Sequence, residues 1–355
     1  MGSIVRKLRV PLLLLGAAAV LRSRLSLKTK SLAKTLTPGE KAIFELAKTF
    51  DDAALLLARV AFDTYSLGLL LLTVLPYRLM RALVGAETKP RQGPKFETVF
   101  ITGASAGIGS GLAQKYACTG TKLYLLSCKD PELETVAETC RSLGSEVETF
   151  DVNVCDQDRM KSIVDHIESE RPIDLVIANA GIAPKVCGVT EARTIFEVNV
   201  MGVLNTVLPV IEYMRKRNRG HVAFMSSLGG YAPGTNRYMT PYVATKTAIR
   251  AFGEGLRNCL GREGVGVTVI CPGFTQSKMT DDLIARGCRL YSLWNNDDAT
   301  SLMKEGIDAN EPEVSFPAHL SIVTRIMGNM PPWQRELALP LLRFGDPFYI
   351  LDKQN

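Results

Sequence analysis

The 355-residue chain has no C-x-x-C pair: Cys118, Cys128, Cys140, Cys155, Cys187, Cys259, Cys271 and Cys288 stand far apart. Its three histidines, His166, His221 and His319, do not cluster. That spacing excludes a zinc ribbon or a disulfide scaffold, no metal site is expected, and the thiols read as scattered and reduced. Low-complexity stretches are also missing. With 46% apolar and 22% charged residues the chain can build a large core, which excludes a disordered protein. Acidic residues are absent from 1–39, where eight Lys/Arg stand. Residues 40–95 hold eight basic and six acidic side chains, so of the net charge of +6 the body from 96 to 355 carries −4. A nucleic-acid-binding body has the opposite sign, and no nucleic-acid partner is expected.

The first hundred residues are apolar in two places. Val10 to Leu21 is a run of twelve residues, flanked by Arg6, Lys7 and Arg9 before it and Arg22 and Arg24 after it. It is short of the roughly 20 residues of a bilayer span, which leaves a signal-peptide core, a signal anchor or part of an organelle presequence open. Leu67 to Val84 is a second apolar zone, interrupted by Pro76, with Arg78 and Arg81 on its far side. Between them, Glu40 to Ala61 reads as an amphipathic helix. Leu69 to Leu72 is aliphatic on every helical face and needs a dry partner, either a membrane surface or the main domain. Arg78 and Arg81 can snorkel to head groups, which favours an interfacial helix. Lys89 to Pro94 reads as a linker. The ending Asp352 to Asn355 matches neither a lumenal-retention nor a peroxisomal signal. The compartment then rests on the first hundred residues: membrane-associated, with the endoplasmic reticulum favoured and the mitochondrion as the alternative.

From Phe96 onward strands and helices alternate. Thr98 to Thr102, Lys122 to Leu126, Val147 to Phe150, Ile173 to Ala178, Val222 to Met225 and Val265 to Ile270 are buried-strand candidates, and helices are expected over Gly109 to Cys118 and Pro131 to Leu143. Near-continuous apolar strands joined by helical crossovers predict an α/β fold, a Rossmann-like, doubly wound parallel sheet with helices on both faces. Thr102 to Gly109 (TGASAGIG) sits where the first strand meets the first helix. A glycine-rich turn there brings backbone N–H groups to a pyrophosphate, and the helix N-terminus stabilises its charge.

The second strand runs into Ser127-Cys128-Lys129-Asp130-Pro131. Asp130 and Pro131 read as the N-cap and first position of a helix, which leaves Ser127 and Lys129 to face the ribose. That favours NADP(H), with NAD(H) as the second choice. Further on, Thr240-Pro241 opens a helix that carries Tyr242 and, one turn later on the same face, Lys246. A phenol near pKa 10 is a poor acid–base group at neutral pH, and a nearby ammonium is expected to lower that pKa. A tyrosine so tuned can protonate the alkoxide left when a hydride reaches a carbonyl. Tyr238 is a rival phenol, but Tyr242 rather than a lysine stands four residues after it.

On these motifs, taken in order, residues 96 to 317 resemble the short-chain dehydrogenase/reductase superfamily. The resemblance implies that Gly103, Ser105, Gly107, Ile108 and Gly109 form the dinucleotide loop. It implies that Asp151 and Val152 lie against the adenine and that Asn179, Ala180 and Gly181 form the N-A-G turn. Asn199 then holds a helix kink and a proton-relay water. Ser227 hydrogen-bonds the substrate oxygen, Tyr242 and Lys246 are the catalytic pair, and Pro272, Gly273 and Thr275 lie beside the nicotinamide. Two features depart from the pattern. Ser227 stands fifteen residues before Tyr242, a longer spacing than usual, so Gly229 to Thr240 is expected to bulge over the substrate mouth and Ser226 stays in play as the active serine. The terminal D-G-G segment of many soluble members is missing, and an apolar tail follows Pro317. That tail resembles membrane-associated, lipid- or steroid-directed members; ordinary helical core or a homodimer face is the other reading.

The expected organisation is a basic targeting or anchor segment (1–39), a helical, membrane-contacting extension and linker (40–95), the NAD(P)-binding catalytic domain (96–317) and the apolar tail (318–355). The expected activity is the interconversion of a ketone and a secondary alcohol on an apolar, lipid-like substrate. Thr275, Met279, Leu283 and Leu290 are expected in the pocket wall. The alternatives are a hydroxysteroid dehydrogenase working in the oxidative direction, or a membrane-tethered nucleotide-binding scaffold without turnover. A sugar-nucleotide epimerase usually shows a G-x-x-G-x-x-G loop, which the spacing of Gly103, Gly107 and Gly109 does not match.

Overall fold

The computed structural model describes Pro38 and residues 96–336, save 186–188, 233–238, 289 and 291. The basic segment, the amphipathic extension, both N-terminal apolar zones, Tyr238 and the tail from 337 onward lie outside the described residues. The chain divides into two units, Met1–Tyr77 and Arg78–Asn355, and apart from Pro38 every described residue belongs to the second.

Seven parallel strands form one sheet in the order β3-β2-β1-β4-β5-β6-β7. They are β1 (Thr98–Thr102), β2 (Lys122–Ser127), β3 (Glu146–Asp151), β4 (Leu175–Ala178), β5 (Gly220–Met225), β6 (Val265–Pro272) and β7 (Glu313–Phe316). Helices α1 (Gly107–Tyr116), α2 (Glu132–Ser142) and α3 (Gln157–Glu170) follow the first three strands. After β4 come α4 (Ala192–Phe196), a π-helical turn (Glu197–Met201) and α5 (Gly202–Arg217) as one continuous stretch. Then α6 (Thr240–Leu260) follows β5, α7 (Lys278–Ala285) and α8 (Asn296–Asp308) follow β6, and α9 (Ala318–Asn329) follows β7.

Side chains alternate across a strand, so each strand feeds two cores. Val99, Ile101, Leu123, Leu125, Leu175 and Ile177 pack on one face with Leu112 and Met303. Phe100, Tyr124, Val176, Val207, Phe224 and Ile249 pack on the other. Both faces are dry, which is why these strands read as unbroken apolar runs. The third strand differs from expectation. It lies at the sheet edge, begins at Glu146, and is only half-buried, because no further strand covers it. Helix α2 also starts one residue later than read, with Pro131 in the N-cap position, although Asp130 Oδ1 still accepts the Glu132 N–H at 3.1 Å.

Among the described residues one helix, Ala192–Arg217, is long and apolar enough to cross a membrane, and half of that window is buried inside the domain. Val203, Val207, Val210 and Met214 tie it to the second core, so its apolarity has a core to serve. Helix α9 belongs to the domain as well. Its Arg325 lies 4.2 Å from the ring centre of Tyr231 and donates to that hydroxyl at 2.8 Å, while Leu320 packs on the cluster of Leu228, Tyr231, Val269 and Cys271. The seven described cysteines are free thiols.

Candidate active site

The strand order reverses between β1 and β4, and doubly wound sheets place ligands in the crevice beyond such a point. Here a cavity of about 790 Å³ opens at the carboxyl ends of the strands. Gly103, Ser105, Gly107 and Ile108 line it from the first loop, and Asn179, Ala180 and Gly181 from the loop after β4. Gly103 has φ +66°, where a side chain is strained, and a Cβ there would come within 2.9 Å of the Ala180 Cα. The Asn179 amide donates to the carbonyls of Thr102 at 3.1 Å and Gly103 at 3.0 Å, which locks the two loops together. Gly109, expected to bind cofactor, is not in the cavity wall. A Cβ on it would meet the Gly103 carbonyl oxygen at 2.0 Å, so this glycine lets α1 close on the loop.

The far end of the cavity departs from the reading of the β2 terminus. Cys128 and Asp130 line it, whereas Lys129 and Asp151 do not. Lys129 is exposed at φ +48°, and its backbone N–H donates to Asp151 Oδ1 at 2.7 Å. The left-handed turn therefore sends the side chain after Lys129, not Lys129 itself, to the wall, and it spends Asp151 on the turn. Asp130 Oδ2 accepts from Ser105 Oγ at 2.8 Å, and Ser105 Oγ lies 2.9 Å from Ser127 Oγ. The Ser105 hydrogen bond is the main cause that holds the Asp130 carboxyl below its ordinary pKa, against its partial burial, with Glu132 N–H and Lys278 adding to it. Val152 is in the wall as expected, joined by Asn153 and Val154.

Ser227, Tyr242 and Lys246 meet at the other end. Tyr242 is the third residue of α6 and Lys246 follows one turn later. Tyr242 and Ser227 line the same part of the wall. Ser226 is committed elsewhere: buried, its hydroxyl donates to the Lys246 carbonyl at 2.7 Å. Lys246 Nζ donates to the Met225 carbonyl at 2.8 Å and lies 5.6 Å from the Tyr242 ring centre. The expected lowering of the phenol is not what the protein alone produces. Burial raises the Tyr242 pKa, and the neighbouring Ser227 hydroxyl only partly opposes it. Burial also pulls the Lys246 ammonium down to about 8. Desolvation penalises both charged forms.

Asn199 sits in the π-helical turn, fully buried and outside the cavity wall. Its Oδ1 accepts the Ile182 N–H at 2.8 Å, and its Nδ2 donates to the Ile182 carbonyl at 2.9 Å and to Thr245 Oγ1 at 3.1 Å. The wider turn lets the amide leave the helix ladder and clamp the chain beside Gly181.

Pro272, Gly273 and Thr275 line the wall opposite. Thr275 is 3% exposed, and its hydroxyl has no hydrogen-bond partner within the protein. A buried hydroxyl without a partner costs free energy, and a polar group in the cavity would relieve it. Together with the positive-φ glycine cradle, this donor set fits a dinucleotide. Met239, Phe274, Met279, Leu283 and Leu320 make the same end of the cavity apolar. Leu290 is packed against that cluster. Leu320 and Thr324 reach the wall from α9, and no local motif in the sequence announces them.

Residues 97–286 match the family described as short chain dehydrogenase. The chain is 33% identical over 245 residues to an uncharacterised oxidoreductase of Myxococcus xanthus, covering 66% of this chain and 93% of that protein. It is 28% identical over 263 residues to 17-beta-hydroxysteroid dehydrogenase 13 of Mus musculus, with 72% and 85% covered. A solved short-chain dehydrogenase from Sphingobium yanoikuyae in complex with NADPH superposes with a TM-score of 0.57 at 24% identity, covering 70% of this chain and 94% of that one. Glycine loop, parallel sheet and matched span together make this chain a member of the short-chain dehydrogenase family, an NAD(P)-binding oxidoreductase that acts between CH–OH and C=O.

Proposed function

We propose that the protein is an NADPH-dependent carbonyl reductase of an apolar, lipid-like ketone, working at a membrane surface. The observation that carries this reading is the meeting of Ser227, Tyr242 and Lys246 in one cavity that Met239, Phe274, Met279, Leu283 and Leu320 also wall. The steroid dehydrogenase name of the mouse relative supports an apolar substrate, and the NADPH in the Sphingobium structure supports the cofactor. The charge of 1–39 and the apolar zone 67–84 support the membrane.

The glycine loop and the N-terminus of α1 hold the pyrophosphate, Val152 lies against the adenine, and the unpartnered Thr275 hydroxyl together with Pro272 and Gly273 holds the carboxamide. The bound nicotinamide supplies the hydride. Ser227 donates to the substrate carbonyl oxygen and orients it beside Tyr242. As negative charge grows on that oxygen, Tyr242 Oη delivers its proton there. The raised phenol pKa suits this direction, because the acid form stays filled at neutral pH. Lys246 places positive charge beneath the phenol and favours the phenolate that the transfer leaves. Asn199 fixes the Ile182 backbone at the cavity edge and holds a water through which the proton is replaced.

The test is consumption of NADPH, beside NADH, by detergent-solubilised full-length protein offered long-chain and polycyclic ketones. Turnover with NADPH on at least one such ketone is expected. Tight nucleotide binding without turnover on any ketone, or on steroid alcohols with NADP⁺, would leave a tethered nucleotide-binding scaffold in its place. The relatives named as hydroxysteroid dehydrogenases make the oxidative run a necessary arm.

A further inference from the structure

Among the described residues, two cations line the cavity, Lys246 and Lys278. Lys246 is held at the catalytic end by the Met225 carbonyl. Lys278 stands at the opposite, ribose end, with Nζ 3.8 Å from Asp130 Oδ2. We propose that Lys278 reads the 2′-phosphate of the cofactor, and that Asp130 parks it when no phosphate is present. This inference rests on the NADP(H) reading above.

Asp130 stands 21 residues past Gly109, where a carboxylate in a dinucleotide fold usually accepts ribose hydroxyls and rejects a 2′-phosphate. Here both of its oxygens are taken. Oδ2 accepts from Ser105 and Oδ1 from the Glu132 N–H at the start of α2. The carboxylate is thus turned to the loop and the helix start, and its charge is offset by Lys278 and by the helix N-terminus. The hydroxyls of Ser105 and Ser127, 2.9 Å apart, are spent on each other and on Asp130, so the Lys278 ammonium is the group that can turn to a phosphate. When Lys278 leaves Asp130 for the phosphate, the carboxylate keeps its two hydrogen bonds, so no buried charge is abandoned.

Lys278 reaches this place from a fixed base. Ser277 and Thr280 form a capping box that sets the first turn of α7. A Cβ on Gly107 would lie 2.9 Å from Ser277 Cβ, which seats that turn on the glycine loop. The Lys278 side chain is 65% exposed, so its stem is free to exchange partners. Lys129, the cation that the sequence favoured for this task, lies outside the wall.

The experiment is calorimetric titration of full-length protein and its Lys278→Met and Lys278→Arg variants with NADPH, NADH, 2′,5′-ADP and 5′-ADP. In Lys278→Met, NADPH and 2′,5′-ADP are expected to weaken by about tenfold or more, as for loss of a charged hydrogen bond, with NADH and 5′-ADP changed less than about twofold. Lys278→Arg is expected to keep the preference. Equal weakening of all four would place Lys278 on the shared pyrophosphate and overturn the proposal; so would unchanged NADPH binding. If the unmodified protein binds 2′,5′-ADP no better than 5′-ADP, the NADP(H) reading itself fails. If it prefers 2′,5′-ADP and Lys278→Met does too, that reading stands and only the role of Lys278 falls.

Discussion

Lys246 Nζ lies 5.6 Å from the centre of the Tyr242 ring, one helical turn away, while it donates to the Met225 carbonyl at 2.8 Å. The lysine is thus anchored by the end of β5, the strand that leads into Ser226 and Ser227, and ammonium and phenol share one fixed frame. Replacing Tyr242 with Phe removes the proton and leaves the frame. Turnover is expected to fall by about a thousandfold, within the range for loss of a positioned general acid. NADPH affinity, measured by titration, is expected to stay within about threefold.

The buried ammonium sets a pH limit. Lys246 has its pKa pulled down to about 8 by burial, so it loses charge as pH rises through that value. Reductase kcat/KM is expected to decline above about pH 8, since this profile reports groups of the free enzyme. The stability effect has the opposite sense. Between about 8 and the unfolded value near 10.4 the unfolded chain binds more protons, so this group's contribution to stability grows as pH rises through that window. Chemical denaturation at pH 8 and pH 10, with Lys246→Met as the reference, isolates that contribution.

Asn199 and Thr275 are predicted to behave in opposite ways. Asn199→Leu strips the Ile182 N–H and carbonyl of their side-chain partner, and a loss of about 1–3 kcal/mol is expected by urea denaturation. Thr275→Val removes a hydroxyl that has no partner within the protein. Its stability is expected to hold or rise slightly, while the cofactor KM rises about tenfold.

Gly109→Ala tests the close approach of α1 to the loop. The added Cβ would stand 2.0 Å from the Gly103 carbonyl oxygen, so the loop or the helix must move. A destabilisation of about 1–3 kcal/mol is expected in thermal unfolding, with weaker binding of NADPH and NADH alike. Selective loss of one cofactor would contradict a packing role.

Sequence alone determined the architecture. Strands buried on both faces must be apolar at every position, and a glycine-rich turn between strand and helix admits few uses, so the parallel sheet and the nucleotide end were legible. That Tyr242, Lys246 and Ser227 lie together was legible too: one helical turn places two of them, and the end of a strand places the third. Tertiary structure decided the rest. The left-handed turn at Lys129 sends Asp130, not Lys129, into the wall, and no periodic pattern encodes that turn. That Ser226 spends its hydroxyl on the Lys246 carbonyl needed the structure, since adjacent hydroxyls differ only in where they point. Leu320, Thr324 and Lys278 reach the cavity across long separations, and such contacts are set by how helices pack rather than by local spacing. The sign of the Tyr242 shift was likewise decided by burial, a property of the whole fold that two residues four apart cannot reveal.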